Sequence, residues 1–185
     1  PILARLRHAH PGLKIELAAT NRVQDLLQRE ADIAVRMAPP GQDALIARRI
    51  GAIEVGMHAH ADYLAAHGTP ASLDQLAGHA LIGFDTETPY LRTARGQLPL
   101  WQRKAFSLRA DSDLAQLALL RAGCGIGVCQ AHLARRDPVL VRVLPGWSMR
   151  LETWVSMHED LRRSPRCQAA FEALASGLAT LLAQA

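Results

Sequence analysis

Apolar residues recur along this chain at two alternating spacings, and the alternation predicts the fold. Over residues 1–8, Ile2, Leu3 and Leu6 share one helical face. Pro1 suits the first turn of that helix, where its missing N–H costs nothing. Pro11-Gly12 stops it. Residues 14–17 alternate as a strand does. Asn21 is placed to cap a helix running to Glu30, with Val23, Leu26 and Leu27 turned inward. Residues 32–36 form a short buried strand, Pro39-Pro40-Gly41 a loop, and residues 45–50 and 53–60 two extended segments. A short helix over 61–66 ends at His67-Gly68-Thr69-Pro70, and Ser72 caps another over 73–76. Residues 81–84 are a strand. The stretch 85–102 is polar and punctuated by Pro and Gly, which predicts loops with little regular structure.

Residues 105–109 again predict a strand. Asp111 or Ser112 then caps a helix to Arg121, with Gly123 as its C′ residue. A tight apolar strand over 125–129, a short helix over 131–135, a strand over 139–144 and a turn at Pro145-Gly146 follow. After a strand over 151–157, a long helix over about 164–182 closes the chain, with Phe171, Leu174, Leu178 and Leu181 inward. Strands and helices that alternate in this way predict α/β architecture, mostly parallel sheets with helices on both faces. An α/β unit normally leads a strand into its first helix. This sequence starts inside a helix, so a first strand and its joining loop are expected to be missing from it.

Composition narrows the class. Of 185 residues, 49% are hydrophobic, 21% charged and 4% aromatic, the mix of a soluble globular protein with a sizeable core. No apolar run approaches the roughly 18 residues a membrane span needs, and no secretory signal opens the sequence. Three cysteines, an odd number, argue against a disulfide framework and fit a reducing cytosol. The net charge of +4 suggests DNA, but the basic residues are scattered, which favours a mildly basic solvated surface.

Five stretches, in order, carry a family resemblance. They are residues 1–17 with Pro11-Gly12-Leu13-Lys14-Ile15-Glu16-Leu17; residues 23–27 followed by Asp32-Ile33-Ala34-Val35-Arg36; residues 45–51 followed by Tyr63-Leu64-Ala65-Ala66-His67-Gly68-Thr69-Pro70; Ala122-Gly123-Cys124-Gly125-Ile126-Gly127; and residues 140–147 with 158–166. Together they cover essentially the whole chain. The order resembles the effector-binding domain of bacterial LysR-type transcriptional regulators. The resemblance implies two Rossmann-like lobes joined by two crossover strands, the type 2 periplasmic-binding-protein-like arrangement. Lobe I would be residues 1–58 and 158–185, and lobe II residues 59–157. The crossovers would end near His58 and Met157. The family's N-terminal winged helix-turn-helix and linker helix are absent from the sequence. DNA would therefore be bound only through that domain, and this chain would be the cytoplasmic sensing half, with no membrane contact.

In open α/β folds, ligands sit beyond the carboxyl ends of strands, where helix N-termini present N–H groups and partial positive charge. Two such termini are located in the sequence: Thr20, Asn21 and Arg22, and Asp111, Ser112 and Asp113. The resemblance adds Arg36, Met37 and Ala38, then Phe84, Asp85 and Thr86, then Gly127, Val128 and Cys129, as the walls of an interlobe effector cleft. Thr20, Asn21 and Ser112 serve equally well as plain helix caps. Arg36 is either a solvated strand end, a structural ion-pair partner or a planar fork for an effector carboxylate. Asp111 and Asp113 oppose an anion, which favours a neutral, hydroxylated or amine-bearing end for an unidentified small-molecule effector on the lobe II side. The family's first loop usually adds Ser or Thr hydroxyls, which this sequence does not contain.

The resemblance also implies a homodimer or homotetramer. Ile2, Leu3 and Leu6 of one subunit would pack against Leu114, Leu117, Ala118 and Arg121 of another; the alternative is that these residues face their own core.

No catalytic set, metal or cofactor is expected. Cys124, Cys129 and His132 fit no common zinc spacing and sit among small apolar residues, where packing is the simpler role. His58 and His60 share one strand face, half a metal site with no third ligand at suggestive spacing. P-loop, GxGxxG, GxSxG and HExxH motifs are absent. Asp32 and Asp85 are a carboxylate pair only if the fold brings them together. Trp101, Trp147 and Trp154 suit packing. Two other classes remain open: a transporter's solute-binding protein with the same fold, and an enzyme on that fold.

Overall fold

The computed structural model describes residues 1–21, 26–41, 44–87, 91–92, 95–96 and 98–183. In chain order its elements are α1 (Ile2–Ala9), β1 (Ile33–Arg36), β2 (Leu45–His60), α2 (Ala61–His67), β3 (Ile82–Gly83), β4 (Leu108–Arg109), α3 (Asp113–Arg121), β5 (Gly127–Gln130), α4 (Ala131–Ala134), β6 (Leu140–Arg142), β7 (Met149–His158) and α5 (Pro165–Ala183). Single 3₁₀ turns lie at Asp74–Gly78, Arg103–Ala105 and Glu159–Arg163. The chain forms two compact units: Pro1–Ile53 with Leu151–Ala185, and Glu54–Arg150. Both breaks fall inside long strands, β2 and β7.

In the first unit, β1 lies antiparallel to β7, with Ile33 opposite Met157 and Arg36 opposite Trp154. α5 carries Phe171, Leu174 and Leu178 on one stripe. These close over Val155 and Met157 of β7, with Ile33, Ile46, Ile50 and Leu161 around them. α1 packs against α5. Gly177 permits that approach, because a Cβ there would lie 2.7 Å from Ile2 Cγ1.

In the second unit, β2 runs antiparallel to β5, with Val55 opposite Gln130, and to β6, with His60 opposite Leu140. β3 and β4 pair in parallel. The core is Ile82, Leu120, Ala134 and Leu140, with Leu108, Leu117, Cys124, Cys129 and Val139 against it. α3 has both expected ends. Ser112 Oγ accepts the Ala115 N–H at 3.3 Å. At the other end Gly123 takes φ +70, and the Cys124 N–H reaches Leu119 O at 3.1 Å, a Schellman closure.

Several local expectations are corrected. Residues 14–17 form no ladder: among the described strands none pairs with them, and Leu17 is 73% exposed. An alternating pattern is not a strand without a neighbour to complete its hydrogen bonds. Of the helix expected over 21–30, residues 22–25 lie outside the described residues. Residues 26–29 are a turn with Arg29 at φ +57. Leu26 is buried as expected, but Leu27 is exposed. The segments 45–50 and 53–60 are one sixteen-residue strand that runs through Gly51. Ser72 precedes a 3₁₀ turn with no side-chain cap instead of capping an α-helix. The stretch expected to be loops has helical backbone at 91–92 and 95–96, and Leu91, Leu98 and Trp101 within it are buried.

Among the described residues, parallel pairing is confined to β3–β4 and the Leu81–Ile126 bridge; the ladders of β1 with β7 and of β2 with β5 and β6 are antiparallel. Alternation of strands with helices does not fix direction against long strands that traverse two units. Among the described residues, no helix is long and apolar enough to cross a membrane.

Candidate functional site

The parallel pair β3–β4 releases two loops side by side in the second unit. They are drawn close by Gly83, where a Cβ would collide with the Phe106 ring. The first loop carries Phe84, Asp85 and Thr86, the second Asp111 and Ser112. Asp111 ties them. Its Oδ1 accepts the Asp85 N–H at 2.9 Å and the Thr86 N–H at 2.8 Å, and its Oδ2 accepts the Thr86 hydroxyl at 2.7 Å. These bonds, led by that from the Thr86 amide, hold the Asp111 carboxyl below its ordinary range. Asp85 is held in turn by two guanidiniums, Arg103 at 2.8 Å and Arg109 at 3.3 Å, and Arg103 Nε donates to the Asp85 carbonyl at 3.0 Å. Buried Gln116, one turn into α3, donates to Ala110 O at 2.7 Å and so fixes the second loop to the helix. Phe84 is buried, while Asp113 is exposed in the first turn of α3.

The structure therefore brings Phe84, Asp85, Thr86, Asp111 and Ser112 together. Arg103, Arg109 and Gln116, which complete the cluster, were not foreseen. Arg109 ends a predicted strand and carried a signal; Arg103 falls between the expected loop stretch 85–102 and that strand and carried none.

Gly127 and Val128 lie on β5. The side-chain direction of Gly127 points into the core: a Cβ there would sit 3.2 Å from Leu120 Cδ2 and 3.3 Å from Ile82 Cβ. Val128 is half-buried opposite Met57. Cys129 lies 3.3 Å from Nδ1 of His58, which is 2.9 Å from Gly56 O. A carbonyl only accepts, so Nδ1 carries the hydrogen. Burial lowers the His58 pKa to about 4 and raises that of Cys129 to about 11. The pair is thus a neutral imidazole and a protonated thiol, unsuited to nucleophilic attack. His60 is engaged separately, its Nδ1 accepting the Asp62 N–H at 3.1 Å to cap α2. Among the described residues, no group of three or more His, Cys, Asp or Glu is placed to hold a metal ion. Asp32 and Asp85 fall in different units.

In the first unit, Thr20 and Asn21 are exposed and Arg22 is outside the described residues. Arg36 is half-buried at the end of β1, and Met37 and Ala38 follow it on the surface. Of the residues expected at a subunit contact, Leu6 is buried and Ile2 packs on Gly177, both within their own unit. Leu3 is half-buried, as is Leu117, which lies on the second unit's core. Arg121 Nε donates to Asp137 at 2.6 Å. Leu114 stands out at 64% exposure.

Comparison with known proteins places the fold. The profile of the LysR substrate binding domain family matches residues 1–179. The HTH-type transcriptional regulator CrgA of Neisseria meningitidis is 31% identical over 150 residues, which is 78% of this chain and 49% of CrgA. The chain spans about half the length of the curated relatives it matches. The CrgA regulatory domain superposes with a TM-score of 0.83 at 26% identity, covering 96% of this chain and 90% of that one. The regulatory domain of AphB from Vibrio vulnificus superposes at 0.72 with 20% identity over 96% and 90% of the two chains, a likeness of fold alone.

Proposed function

The chain belongs to the LysR substrate-binding domain family, and on that premise we propose that it senses a small-molecule effector for a bacterial transcriptional regulator. The match over residues 1–179 carries this reading. It favours a regulator over a transporter's solute-binding protein, since the relatives are transcriptional regulators. The proposal gives the chain no catalytic role, places it in the cytoplasm, and makes DNA contact the task of a helix-turn-helix domain elsewhere in the full regulator. Subunits would pair as a homodimer or homotetramer, with exposed Leu114 the apolar residue of α3 best placed to contribute. The functional lobes would be residues 1–58 with 158–185, and 59–157, joined by β2 and β7.

On the first unit the effector would meet Thr20, Asn21, Arg36, Met37 and Ala38. On the second it would meet Phe84, Asp85 and Ser112, with Gly127 and Val128 behind. The chemistry of the second set favours a hydroxyl or amine there. Asp111 already occupies the Asp85 and Thr86 amides, the donors an anion would otherwise take. Ligand binding to the native state alone raises the melting temperature with concentration. A thermal-shift screen of small metabolites is therefore expected to yield a stabiliser. Its shift should shrink in Arg36→Ala and Ser112→Ala. A shift unchanged in both variants refutes the site, and substrate turnover by the chain refutes the sensing role.

A further inference from the structure

The first unit contains a groove of about 680 Å³ that the effector reading does not use. Its floor is apolar: Met157 and Phe171, each 3% exposed, with Ile46 and Ala169 beside them. One wall is an ion pair. Arg48 grips Glu172 with both terminal nitrogens, at 2.7 and 2.6 Å, while its guanidinium carbon lies 5.3 Å from the centre of the Phe171 ring. Arg162 also lines the groove. Among the described residues, no carboxylate lies within ion-pair distance of the Arg162 guanidinium.

We propose that this groove is a second small-molecule site, for a monocarboxylic acid with an aromatic or branched apolar body. Two guanidiniums face the groove against a single carboxylate, so its lining is one negative charge short of balance. The Arg48 fork is already filled by Glu172, which leaves Arg162 to take the ligand carboxylate through charge-assisted hydrogen bonds. The apolar body then covers the Phe171 and Met157 floor and removes it from water. The volume falls within the range of ligand pockets, roughly 300–1,000 Å³, which are apolar with a few directing polar groups. Neither Arg162 nor Phe171 belongs to the effector set, so the two sites share no key residue.

The test titrates the 185-residue chain with 3-phenylpropionate and, separately, with its uncharged amide, followed by backbone amide NMR. The acid is expected to shift resonances saturably and only around residues 46–48 and 162–172. The amide should bind at least about tenfold more weakly, and Arg162→Gln should weaken the acid by about the same factor. Ala169→Phe, which fills the floor, should abolish binding of both while keeping a dispersed spectrum. Equal affinity for acid and amide, full affinity in Arg162→Gln, a shift map outside the groove, or no binding up to the solubility of the acid each overturns the assignment. The effector reading stands or falls separately, on Arg36 and Ser112.

Discussion

Acidification should destabilise this protein well before its carboxylates titrate, and the cause is His58. The side chain is 3% exposed, donates through Nδ1 to Gly56 O, and has a pKa of about 4 when folded against an ordinary value of 6.5. Desolvation dominates. The Gly56 carbonyl and Glu54 oppose it, while Arg142 and Arg135 add to it. Between these two pKa values the unfolded chain binds a proton that the folded chain refuses. Stability is therefore constant above about pH 6.5, falls as pH falls, and levels off below about pH 4. A gap of about 2.5 units at 1.36 kcal/mol per unit is about 3 kcal/mol, of which about 2 kcal/mol is lost between pH 7 and pH 4.5. At this burial, solvent screening removes little of it. Buried His132 shifts in the same direction, so the comparison must be with a variant. His58→Gln keeps an amide donor for Gly56 O and has no titrating group. Urea unfolding followed by tryptophan fluorescence at the two pH values measures the difference. The wild type should lose about 2 kcal/mol more than His58→Gln. Equal losses in the two proteins would show that His58 is not buried as described.

Other outcomes follow from the same structure. Ser112→Ala removes the α3 cap and should cost about 1 kcal/mol in urea unfolding, with the Ser112→Asn variant restoring most of it. Phe171→Ala opens a cavity in the first unit's core and should cost about 3–5 kcal/mol; a cost under about 1 kcal/mol contradicts the packing described. Arg48→Ala breaks an ion pair whose side chains are 47% and 60% exposed, so unfolding should change by less than about 1 kcal/mol. Gly125→Ala sets a Cβ against the Ala80 carbonyl oxygen at φ +154, a fixed backbone atom. The variant should express poorly or melt far below wild type, and a wild-type melting temperature would refute that local geometry.

Local chemistry is what could be foreseen. The ends of α3 were legible because Ser112 and Gly123 act within one turn of themselves, and α5 because Phe171, Leu174 and Leu178 repeat at helical spacing. The loop cluster was legible only in part. Asp85 and Asp111 stood at the ends of predicted strands, but their bonds join residues far apart in sequence, through a parallel pairing that no local pattern encodes. Arg103 reaches Asp85 from a position just past the expected loops, where no element was predicted. Conversely, residues 14–17 have the pattern of a strand and form none, because a ladder depends on a partner as well as on a pattern. The residues 45–60 divided at Gly51 on paper and run straight through it in space.

The order in which the chain leaves the ribosome gives the two units different histories. The second unit is drawn from one uninterrupted stretch, Glu54–Arg150, so all of its core residues are made before α5 is. The first unit must wait. Ile33, Ile46 and Ile50 are made early, yet their covering residue Phe171 and the Gly177 surface that receives Ile2 belong to α5. A stop just before Pro165 would thus leave every core residue of the second unit in place and strand α1 without α5, the helix it packs on.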